Sequence, residues 1–581
     1  MSDADSTRAA GPSLCVGPLL RYVDETRATI WVETDRACEV EVTAGDDQRH
    51  RARTWSVHEH HYALVRIEDL APSTEHAYTV ILDGVEVWPL ADTAFPPSVI
   101  RTSDPDGPFR LAFGSCRRSA PETQEYLDEI GADALVAMAR RMASEPTSQW
   151  PHALMMLGDQ VYADDPSDEI VQRLHDTHGD SDSEVDGEIR NFEEYTWLYH
   201  EAWMEPSVRW LLSTVPTGML LDDHDLRDDW NTSLSWRRWI TQQDWWHDRV
   251  VGAYGSYWVY QHLGNLSPTE LDADETYERL LSFAADDDSG RTSFLDDFAW
   301  QTDLDASTTR FSFFRDFDGA GRRVRLVAVD SRCSRHLDPD DRRMVDELEW
   351  SWVRDKVLRP ENRYDHLVLG STLPFLVLPG VHHMEGWNEA VAQGAWGKRV
   401  GGRFGEWFRQ FLDLEHWAAF RESFEETTDL LESVVTGADT PATVLMLSGD
   451  VHCSYTARAH LEDVEHPDTA IHQLTMSPFR NDIERVAKYG NKLLNRKGLS
   501  RAMHRLARWA KVEDVDMTWH VEQGPWFDNG VMTIEFAGRS ARLAIDHAHV
   551  RGDDQVLERT LELELNAAPK QVAGAVAAAD D

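Results

Sequence analysis

Four short apolar runs of this 581-residue chain each lead into a cluster of polar residues. They are FRLAFGSC ending at Cys116, MMLGDQVY around Asp159, MLLDDHD around His224 and VLMLSGDVH ending at His452. Runs of this kind are typical of buried strands, and ligands of α/β proteins bind at the carboxyl ends of such strands. We therefore predict an α/β fold in which distant segments bring thiolate, carboxylate, phenolate and imidazole groups to one metal site.

From residue 109 to about residue 550, predicted strands alternate with helical patterns, as in an α/β domain. The strands are predicted at 109–113, 153–157, 217–221, 325–330, 366–370 and 443–448, and helical stretches at 121–143, 338–358 and 404–435. Residues 187–260 are predicted to form a Trp-rich helical insertion. Its residues Trp236, Trp239, Trp245 and Trp246 would pack in the core or, alternatively, line a substrate cleft.

Residues 11–103 show instead the alternation of antiparallel strands, at 27–34, 61–70 and 76–84, and the linker TSDPDGP (102–108) marks a domain boundary. The stretch from Leu70 to Tyr78 resembles the fibronectin type III signature Leu-x-Pro-x-Thr-x-Tyr-x-Tyr, with His76 at the first Tyr. This resemblance implies a fibronectin-like β-sandwich whose corner is held by the Tyr78 hydroxyl. An unrelated β-sandwich is the alternative. Residues 1–10 are predicted to be flexible, and 565–581 to be a disordered tail.

The chain carries a formal charge of −46, yet 41% of its residues are hydrophobic and 23 are Trp, so we predict a packed globule with an acidic surface. Only seven of its 57 basic residues are Lys. We interpret this surface as halophilic, because at about 1 M salt the Debye length is only ~3 Å and self-repulsion is suppressed. Nucleic acids are excluded as partners, since their phosphates would be repelled.

Apolar segments and cysteines indicate the compartment in which the chain works. No run of about 18 uncharged apolar residues is present, and the first residues lack the basic and apolar regions of a signal peptide, so we predict a cytoplasmic protein. The five cysteines are odd in number and scattered. They do not indicate a disulfide framework, and most are predicted to be buried thiols.

Each polar cluster has a functional and a structural interpretation. Asp450 and His452 are two residues apart and would project to one side of a strand, as two metal ligands would, although a buried histidine with satisfied hydrogen bonds is the alternative. Asp159 could bridge two metal ions, or it could start a helix. The three carboxylates around His224 would repel one another without a cation, although an ordinary exposed acidic cluster is the alternative. The Cys116 thiol could bind metal, or it could be an inert buried side chain.

Taken together and in order, the motifs resemble those of the alkaline phosphatase D-like (PhoD-like) branch of the calcineurin-type metallophosphatases. The matching positions are Gly-Ser-Cys (114–116), Gly-Asp-x-x-Tyr (158–162), Asp-Asp-His-Asp (222–225) and Ser-Gly-Asp-Val-His (448–452). The resemblance spans about residues 110–550. It implies a four-layer core of two mixed sheets flanked by helices. Asp225 departs from the pattern, because Glu is frequent there.

The resemblance also implies roles for single residues. Asp159 would bridge two metal ions, and Asp223 and Asp450 would complete the carboxylate-rich site. The other site would consist of Cys116, Tyr162 and His452.

His224 would act at the leaving group, and Arg117 or Arg118 would hold a phosphate oxygen. The implied metals are Fe(III) at the thiolate and phenolate site and Ca²⁺ at the carboxylate site, with Mn²⁺ or Zn²⁺ as alternatives.

We therefore predict an enzyme, a two-metal phosphatase or phosphodiesterase that hydrolyses small phosphate mono- or diesters by attack of metal-bound hydroxide. The alternative is a non-enzymatic assembly or surface-binding protein in which the same ions stabilise the fold. Chelation followed by an assay on a chromogenic phosphate ester separates the two.

One segment reverses the charge of the chain. Residues 480–511 contain ten Lys or Arg against only Asp482 and Glu484, and an apolar stripe indicates a helix. The stripe consists of Leu499, Met503, Leu506 and Ala510. Either this helix packs on the core with its basic face against acidic residues, or residues 485–511 attract anionic substrates or contact anionic lipid.

Overall fold

The computed structural model describes residues 11–45, 48–179, 183–319, 322–358, 364–437, 439–462, 464, 468–481, 497–552 and 554–566. It has an N-terminal all-β module and a mixed α/β region, as predicted. Residues 1–10, 482–496 and 567–581, which include the predicted flexible start, most of the predicted tail and part of the basic segment, lie outside the described residues. In the described part of the chain, no helix is both long enough and apolar enough to cross a membrane.

The N-terminal module is a sandwich of two antiparallel sheets. Its strands are β1 (Leu14–Val23), β2 (Ala28–Thr34), β3 (Glu39–Ala44), β4 (Gln48–Arg53), β5 (Trp55–Val57), β6 (His60–Ile67), β7 (Glu75–Leu82), β8 (Val85–Trp88) and β9 (Val99–Arg101). One sheet has the order β1-β2-β6-β5, and the other has the order β4-β3-β7-β8 with β9 beside β7. The three predicted strands correspond to β2, β6 and β7, because alternation marks the face that enters the sandwich core.

The corner of this module differs from the prediction. The Tyr78 hydroxyl does not close the corner; it donates to the backbone oxygen of Ser213 at 2.7 Å, in the α/β region. His76 supplies the local bond instead, because its Nε2 lies 2.9 Å from the Ala71 oxygen. Tyr78 thus fastens the module to the region that follows.

Two sheets form the centre of the α/β region. The strands are β10 (Phe109–Gly114), β11 (Ala153–Leu157), β12 (Thr217–Leu220), β13 (Phe313–Gly319), β14 (Arg322–Val329), β15 (His336–Asp338), β16 (Asp341–Arg343), β17 (His366–Ser371), β18 (Thr443–Ser448), β19 (Ser454–Leu461), β20 (Ala470–Thr475), β21 (Met517–Trp526), β22 (Gly530–Ala537), β23 (Ser540–Arg551) and β24 (Asp554–Glu564). β15 and β16 form a separate two-stranded sheet. Of the two central sheets, one has the order β12-β11-β10-β22-β23-β24 and the other the order β13-β14-β17-β18-β20-β19-β21. Both mix parallel and antiparallel pairs, and their facing sides share one apolar core.

Helices cover the outer sides of both sheets and complete four layers. They are α1 (Gln124–Ile130), α2 (Ala134–Ser144), α3 (Asp168–His178), α4 (Phe192–Trp203), α5 (Pro206–Thr214), α6 (Leu234–Ile240), α7 (Trp246–Ser256), α8 (Leu263–Asn265), α9 (Pro268–Ala273), α10 (Glu275–Leu281), α11 (Asp288–Leu304), α12 (Glu347–Leu358), α13 (Pro379–Ala392), α14 (Gly401–Leu412), α15 (Arg421–Thr436) and α16 (Lys497–Trp509). Short 3₁₀ helices occupy Thr147–Gln149 and Trp417–Ala419, and a π-helix occupies Tyr257–His262.

The Trp-rich stretch 187–260 contains β12, the strand predicted at 217–221, which forms an edge of the six-stranded sheet. The C-terminal boundaries differ from expectation. The domain continues past 550, because β24 extends that sheet to Glu564. Leu565, the first residue of the predicted tail, is fully buried and donates its N–H to Ala541 at 2.9 Å.

Candidate metal centre

The predicted metal ligands follow the carboxyl ends of strands from both sheets. Cys116 follows β10, Asp159 follows β11 and Asp450 follows β18. The turns after β10 and β11 run side by side, because the N–H of Cys116 donates to Gly158 at 3.2 Å. The Asp450 N–H donates to the Ser115 hydroxyl at 3.1 Å, which joins the turn of the second sheet to that of the first. The site therefore lies where the two sheets meet.

Four predicted ligands adopt left-handed backbone conformations. The φ angles of Cys116, Asp159, Asp450 and His452 are 54°, 52°, 63° and 44°. Residues other than glycine rarely adopt such angles, and they do so where the surrounding structure compensates, often at functional sites. Asp450 and His452 thus lie in a turn after β18, and not along a strand as the two-residue spacing suggested. Backbone strain coincides with predicted metal binding at four positions.

Four carboxylates form a tight cluster at this junction. Asp159, Asp222, Asp223 and Asp450 each offer an oxygen within 4.8 Å of the others. Among the described residues, Asp159 Oδ1 and Asp222 Oδ2 are buried without a hydrogen-bond partner. Such orphaned oxygens, in a group that repels itself, fit the ligand set of a hard cation. Asp222 was not among the predicted ligands, although its position next to Asp223 in the same motif could have indicated a role in metal binding.

Burial and mutual repulsion shift the protonation of the cluster. Burial, with the nearby charge of Asp222, raises the pKa of Asp159 well above its ordinary value. Burial and Asp223 likewise raise the pKa of Asp450 to about 7. A bound cation reverses this effect, because it favours the charged carboxylate. The residues present therefore suit metal ions.

Softer donors lie beside Asp159. The Tyr162 hydroxyl is 3.5 Å from Asp159 Oδ2, and the fully buried Cys116 thiol is 3.7 Å from the Asp450 backbone oxygen. Burial, together with the Asp159 charge, raises the pKa of both Tyr162 and Cys116. A metal ion would be needed to hold either as an anion. The softer donors therefore adjoin the carboxylate cluster, Tyr162 at Asp159 and Cys116 at Asp450.

Asn481 also lies beside these donors, although no sequence motif pointed to it. Its Nδ2 donates to the Tyr162 hydroxyl at 2.9 Å and lies 3.5 Å from Nε2 of His452. Asn481 thus contacts both Tyr162 and His452, which places these two predicted ligands near each other.

Arg332 is a fully buried cation inside the carboxylate cluster. Its Nη2 lies 3.3 Å from Asp223 Oδ2 and 3.2 Å from Asp450 Oδ1, and its Nε donates to Asp222. Its Nη1 pairs with Glu415 at 2.5 Å. The Arg332 guanidinium therefore contacts four acidic groups, and Glu415 also pairs with Arg335 at 2.7 Å. These cations offset only part of the negative charge and leave the site attractive to cations. The sequence did not single it out.

His224 is held at the rim of the site. Its Nδ1 lies 2.8 Å from Asp164 Oδ1, and its ring stacks on that of Tyr162 at 4.5 Å between centroids. Burial lowers the pKa of His224, but the charges of Asp164 and Asp159 outweigh burial and raise it well above the ordinary value. The imidazole is therefore oriented and favoured in its cationic form. Asp164 was also missed at the sequence level.

The two predicted phosphate-binding arginines bind protein groups in this structure. Arg117 is 3% exposed; its Nη2 pairs with Asp133 at 2.8 Å and its Nη1 donates to Ala202. Arg118 pairs with Glu129 at 2.8 Å and with Asp165 at 3.1 Å. Neither guanidinium contacts the carboxylate cluster. For Arg117 the reason is the buried Asp133 carboxylate, which needs a cationic partner.

Asp225, the departure noted in the motif, connects two loops of the site. Its Oδ2 accepts the Asp222 N–H at 2.9 Å and its Oδ1 accepts the Val161 N–H at 3.3 Å. Close approach of these loops also requires Gly158, whose φ is 101° and where a Cβ would lie 2.6 Å from Asp222 Oδ2. Asp225 therefore helps to position the carboxylate cluster by holding the backbone of its two loops.

Comparisons with known proteins bear on the fold and on the family of this chain. The solved structure of PhoD is similar over 98% of this chain and 95% of its own, with 11% identity and a TM-score of 0.56. A purple acid phosphatase, PPD1 from yellow lupin seeds, aligns over 97% of this chain and 78% of its own, with 10% identity and a TM-score of 0.47. At such identities the likeness to PhoD concerns the fold.

No match was found among curated protein sequences. Residues 11–100 match a domain family of unknown function, DUF7800. The family model of the PhoD-like phosphatases matches residues 124–505, more than half of the chain. Together with the two-sheet core and the site at its junction, this match shows that the chain belongs to the PhoD-like phosphatase family.

Proposed function

We propose that this protein hydrolyses small phosphate mono- or diesters with two metal ions held at the junction of its sheets. The observation that carries the proposal is the buried cluster of Asp159, Asp222, Asp223 and Asp450, with two carboxylate oxygens that lack partners among the described residues. Such a cluster is costly to bury without cations. Membership of the PhoD-like phosphatase family supports a phosphoesterase.

The donor set favours two different metals. Cys116, Tyr162 and His452 would hold Fe(III) together with Asp159, since thiolate, phenolate and imidazole suit iron. The carboxylates of Asp222, Asp223 and Asp450 would hold Ca²⁺, again with Asp159, since Ca²⁺ prefers oxygen ligands. When bound, such ions supply Lewis-acid charge and an activated water nucleophile.

The role of His224 follows from its orientation. Because Nδ1 donates to Asp164, Nε2 is the nitrogen left for a substrate. A proton at Nε2 would go to the oxygen that leaves phosphorus, as in general acid catalysis. Asp164 would hold the ring in that orientation, and Tyr162 would support its face.

The test compares hydrolysis and metal content in matched variants. Asp159→Asn and Asp222→Asn should lower bound metal and the hydrolysis of p-nitrophenyl phosphate and its diester together, by at least tenfold. Asp340→Asn, at an exposed carboxylate, should change neither. Chelation should abolish hydrolysis and added metal should restore it. Protein that binds metal and is stabilised by it, yet hydrolyses neither ester class, would instead support the non-enzymatic alternative.

A further inference from the structure

A patch of large apolar side chains is exposed on α14 and at the end of α16. We call it the aromatic patch, and it comprises Val400, Phe404, Trp407, Phe411 and Trp509, which are 80%, 43%, 55%, 67% and 72% exposed. Exposed apolar residues scattered singly need no explanation, but a contiguous group of rings indicates an interaction surface.

The rings of the patch are connected. Trp407 stacks on Phe411 with centroids 5.3 Å apart, and Phe404 lies 6.0 Å from Trp407. Trp509 packs against Trp396 at 4.7 Å, and Trp387 of α13 contacts both Trp396, at 5.6 Å, and Phe404, at 6.4 Å. The two helices therefore present one surface.

The sequence of α14 places its aromatic residues outward. Its buried face consists of Gly401, Gly402 and Gly405, with Arg409. Gly405 lies so close to α13 that a Cβ there would be 2.6 Å from the Ala392 nitrogen, and its oxygen accepts a bond from Asn388 at 2.8 Å. An amphipathic helix of a globular domain normally turns its large apolar residues to the core. In α14 the small residues fill that place, which leaves the rings in solvent.

The surroundings of the patch are basic in an acidic protein. Residues 398–412 and 497–511 contain nine Lys or Arg and a single acidic residue, Glu406, within a chain of net charge −46. Arg399, Arg403, Arg501 and Arg505 are exposed and form no ion pair with any residue that the structure describes. An anionic surface would be repelled elsewhere on the molecule but attracted to this face.

We propose that the aromatic patch docks on membranes that carry anionic lipids. The rings would enter the headgroup region, and the surrounding cations would pair with lipid phosphates, as in interfacial amphipathic helices. A second copy of the chain fits less well, because a symmetric contact would place the same unpaired arginines against each other. The proposal concerns a surface outside the metal centre and does not depend on the proposed catalysis.

Two interpretations of the basic helix α16 were open: packing on the core, or contact with an anionic partner. Different residues of the helix now fit each of them. Leu506, Ala507 and Ala510 pack against α13, so the helix is part of the folded domain. Arg508 of α16 lies 3.7 Å from Asp514, which offsets part of the positive charge of the helix. Arg501 and Arg505 remain for an external anionic partner.

Vesicle flotation tests the proposal on the full chain, in KCl at a concentration at which the thermal melt is cooperative. Vesicles of equal parts phosphatidylglycerol and phosphatidylcholine should carry the protein upward, and vesicles of phosphatidylcholine alone should carry much less. The double variant Trp407→Ser/Phe411→Ser should lower the bound fraction at least tenfold. At the lowest KCl concentration at which the melt stays cooperative, Arg501→Gln/Arg505→Gln should weaken binding to the anionic vesicles severalfold, with an upper limit of about 30-fold for the loss of two cations. The effect should shrink as more KCl screens the charges.

Two matched controls change the same residue types away from the patch. Leu348→Ser, at a side chain that is 68% exposed, and Arg53→Gln, at an exposed arginine of β4, should bind vesicles like the unmodified protein. All variants should keep the same melting temperature and the same hydrolysis of a soluble ester. Equal binding by all variants, or no flotation with anionic vesicles, would overturn the proposal. A dimer that Trp407→Ser/Phe411→Ser dissociates, without vesicle binding, would assign the patch to a second copy instead.

Discussion

The Nδ1 atom of His224 lies 2.8 Å from Oδ1 of Asp164. The other oxygen of Asp164 accepts the N–H of Asp228 at 2.6 Å, so the carboxylate is fixed from two sides. A carboxylate held in this way fixes both the orientation and the tautomer of its histidine partner. This pair lies beside the carboxylate cluster and supplies none of its ligands, so it can be altered while the metal ligands are kept.

His224→Gln should lower kcat about 100-fold or more for an alkyl phosphate, but much less for a p-nitrophenyl ester, whose leaving group needs no proton. Asp164→Asn should show the same dependence on the leaving group to a smaller degree. The measurements are kcat and KM over a series of leaving groups, with metal content as the control. An equal loss for good and poor leaving groups, or a loss of metal as large as in Asp159→Asn, would exclude the assigned role.

The soft donor group predicts a visible absorption band. If Tyr162 binds Fe(III), the purified protein should show a charge-transfer band that bleaches on reduction, and Tyr162→Phe should remove or shift the band. Tyr455→Phe is the matched control, since this buried tyrosine donates to the Leu376 oxygen and should leave the spectrum unchanged. An active, colourless protein that contains only Mn²⁺ or Zn²⁺ would contradict the iron assignment.

Removing the buried cation should destabilise the metal-free protein most. Arg332→Gln leaves the carboxylates of the cluster without their guanidinium, and loss of one partner of a buried ion pair costs about 3–5 kcal/mol. Added Ca²⁺ should recover part of the lost melting temperature, because the metal replaces the missing charge. Arg354→Gln, which removes a surface pair with Glu347, should cost less than about 1 kcal/mol. Equal melting temperatures for Arg332→Gln with and without metal would argue against a cation site.

The contact between the two domains predicts a pH dependence of stability. His60 lies 2.8 Å from both Glu33 and Glu193. Burial lowers the pKa of His60, but Glu193 and Glu33 outweigh burial and raise it to about 9. Because the folded-state pKa is raised, its stabilisation is complete below about pH 6.5 and is lost as the pH rises through about 9.

His60→Gln should therefore lower the melting temperature clearly at pH 6 and very little at pH 10. His247→Gln, at a side chain that is 57% exposed, should have the same small effect at both pH values. A His60→Gln effect that does not change between pH 6 and pH 10 would contradict this account.

The acidic surface predicts salt-dependent stability. On dilution from molar KCl to about 0.1 M, the Debye length grows from ~3 Å to ~10 Å, and many carboxylates then repel one another. We expect a lower melting temperature and slow inactivation in dilute salt. A thermal melt that is the same at both salt concentrations would contradict the halophilic interpretation.

Strand positions could be read from the sequence because burial on both faces leaves a continuous apolar run. The observed bounds of β11 and β18 equal the predicted ones, 153–157 and 443–448. The hairpin of β15 and β16, which overlaps the start of the helical stretch predicted at 338–358, was missed, since strands of three residues are too short to show a period.

Site residues were predicted where they belong to a motif that directly follows a strand. They were missed where they reach the site through contacts between residues far apart in the sequence. Arg332 reaches Asp222 and Asp450 across 110 and 118 positions. Nothing local distinguishes it from the many other arginines of the chain. Asn481 and Asp164 were missed for the same reason. Arg117 stands beside Cys116, but only the fold shows that its guanidinium is held by Asp133.

The left-handed conformations of Cys116, Asp159, Asp450 and His452 make stability and function compete at the same four positions. Glycine adopts these angles without the cost of roughly 1–2 kcal/mol that other residues bear, so a change such as Asp159→Gly would relieve strain in the metal-free chain while it removes a ligand. A selection for heat resistance alone would therefore erode the metal centre.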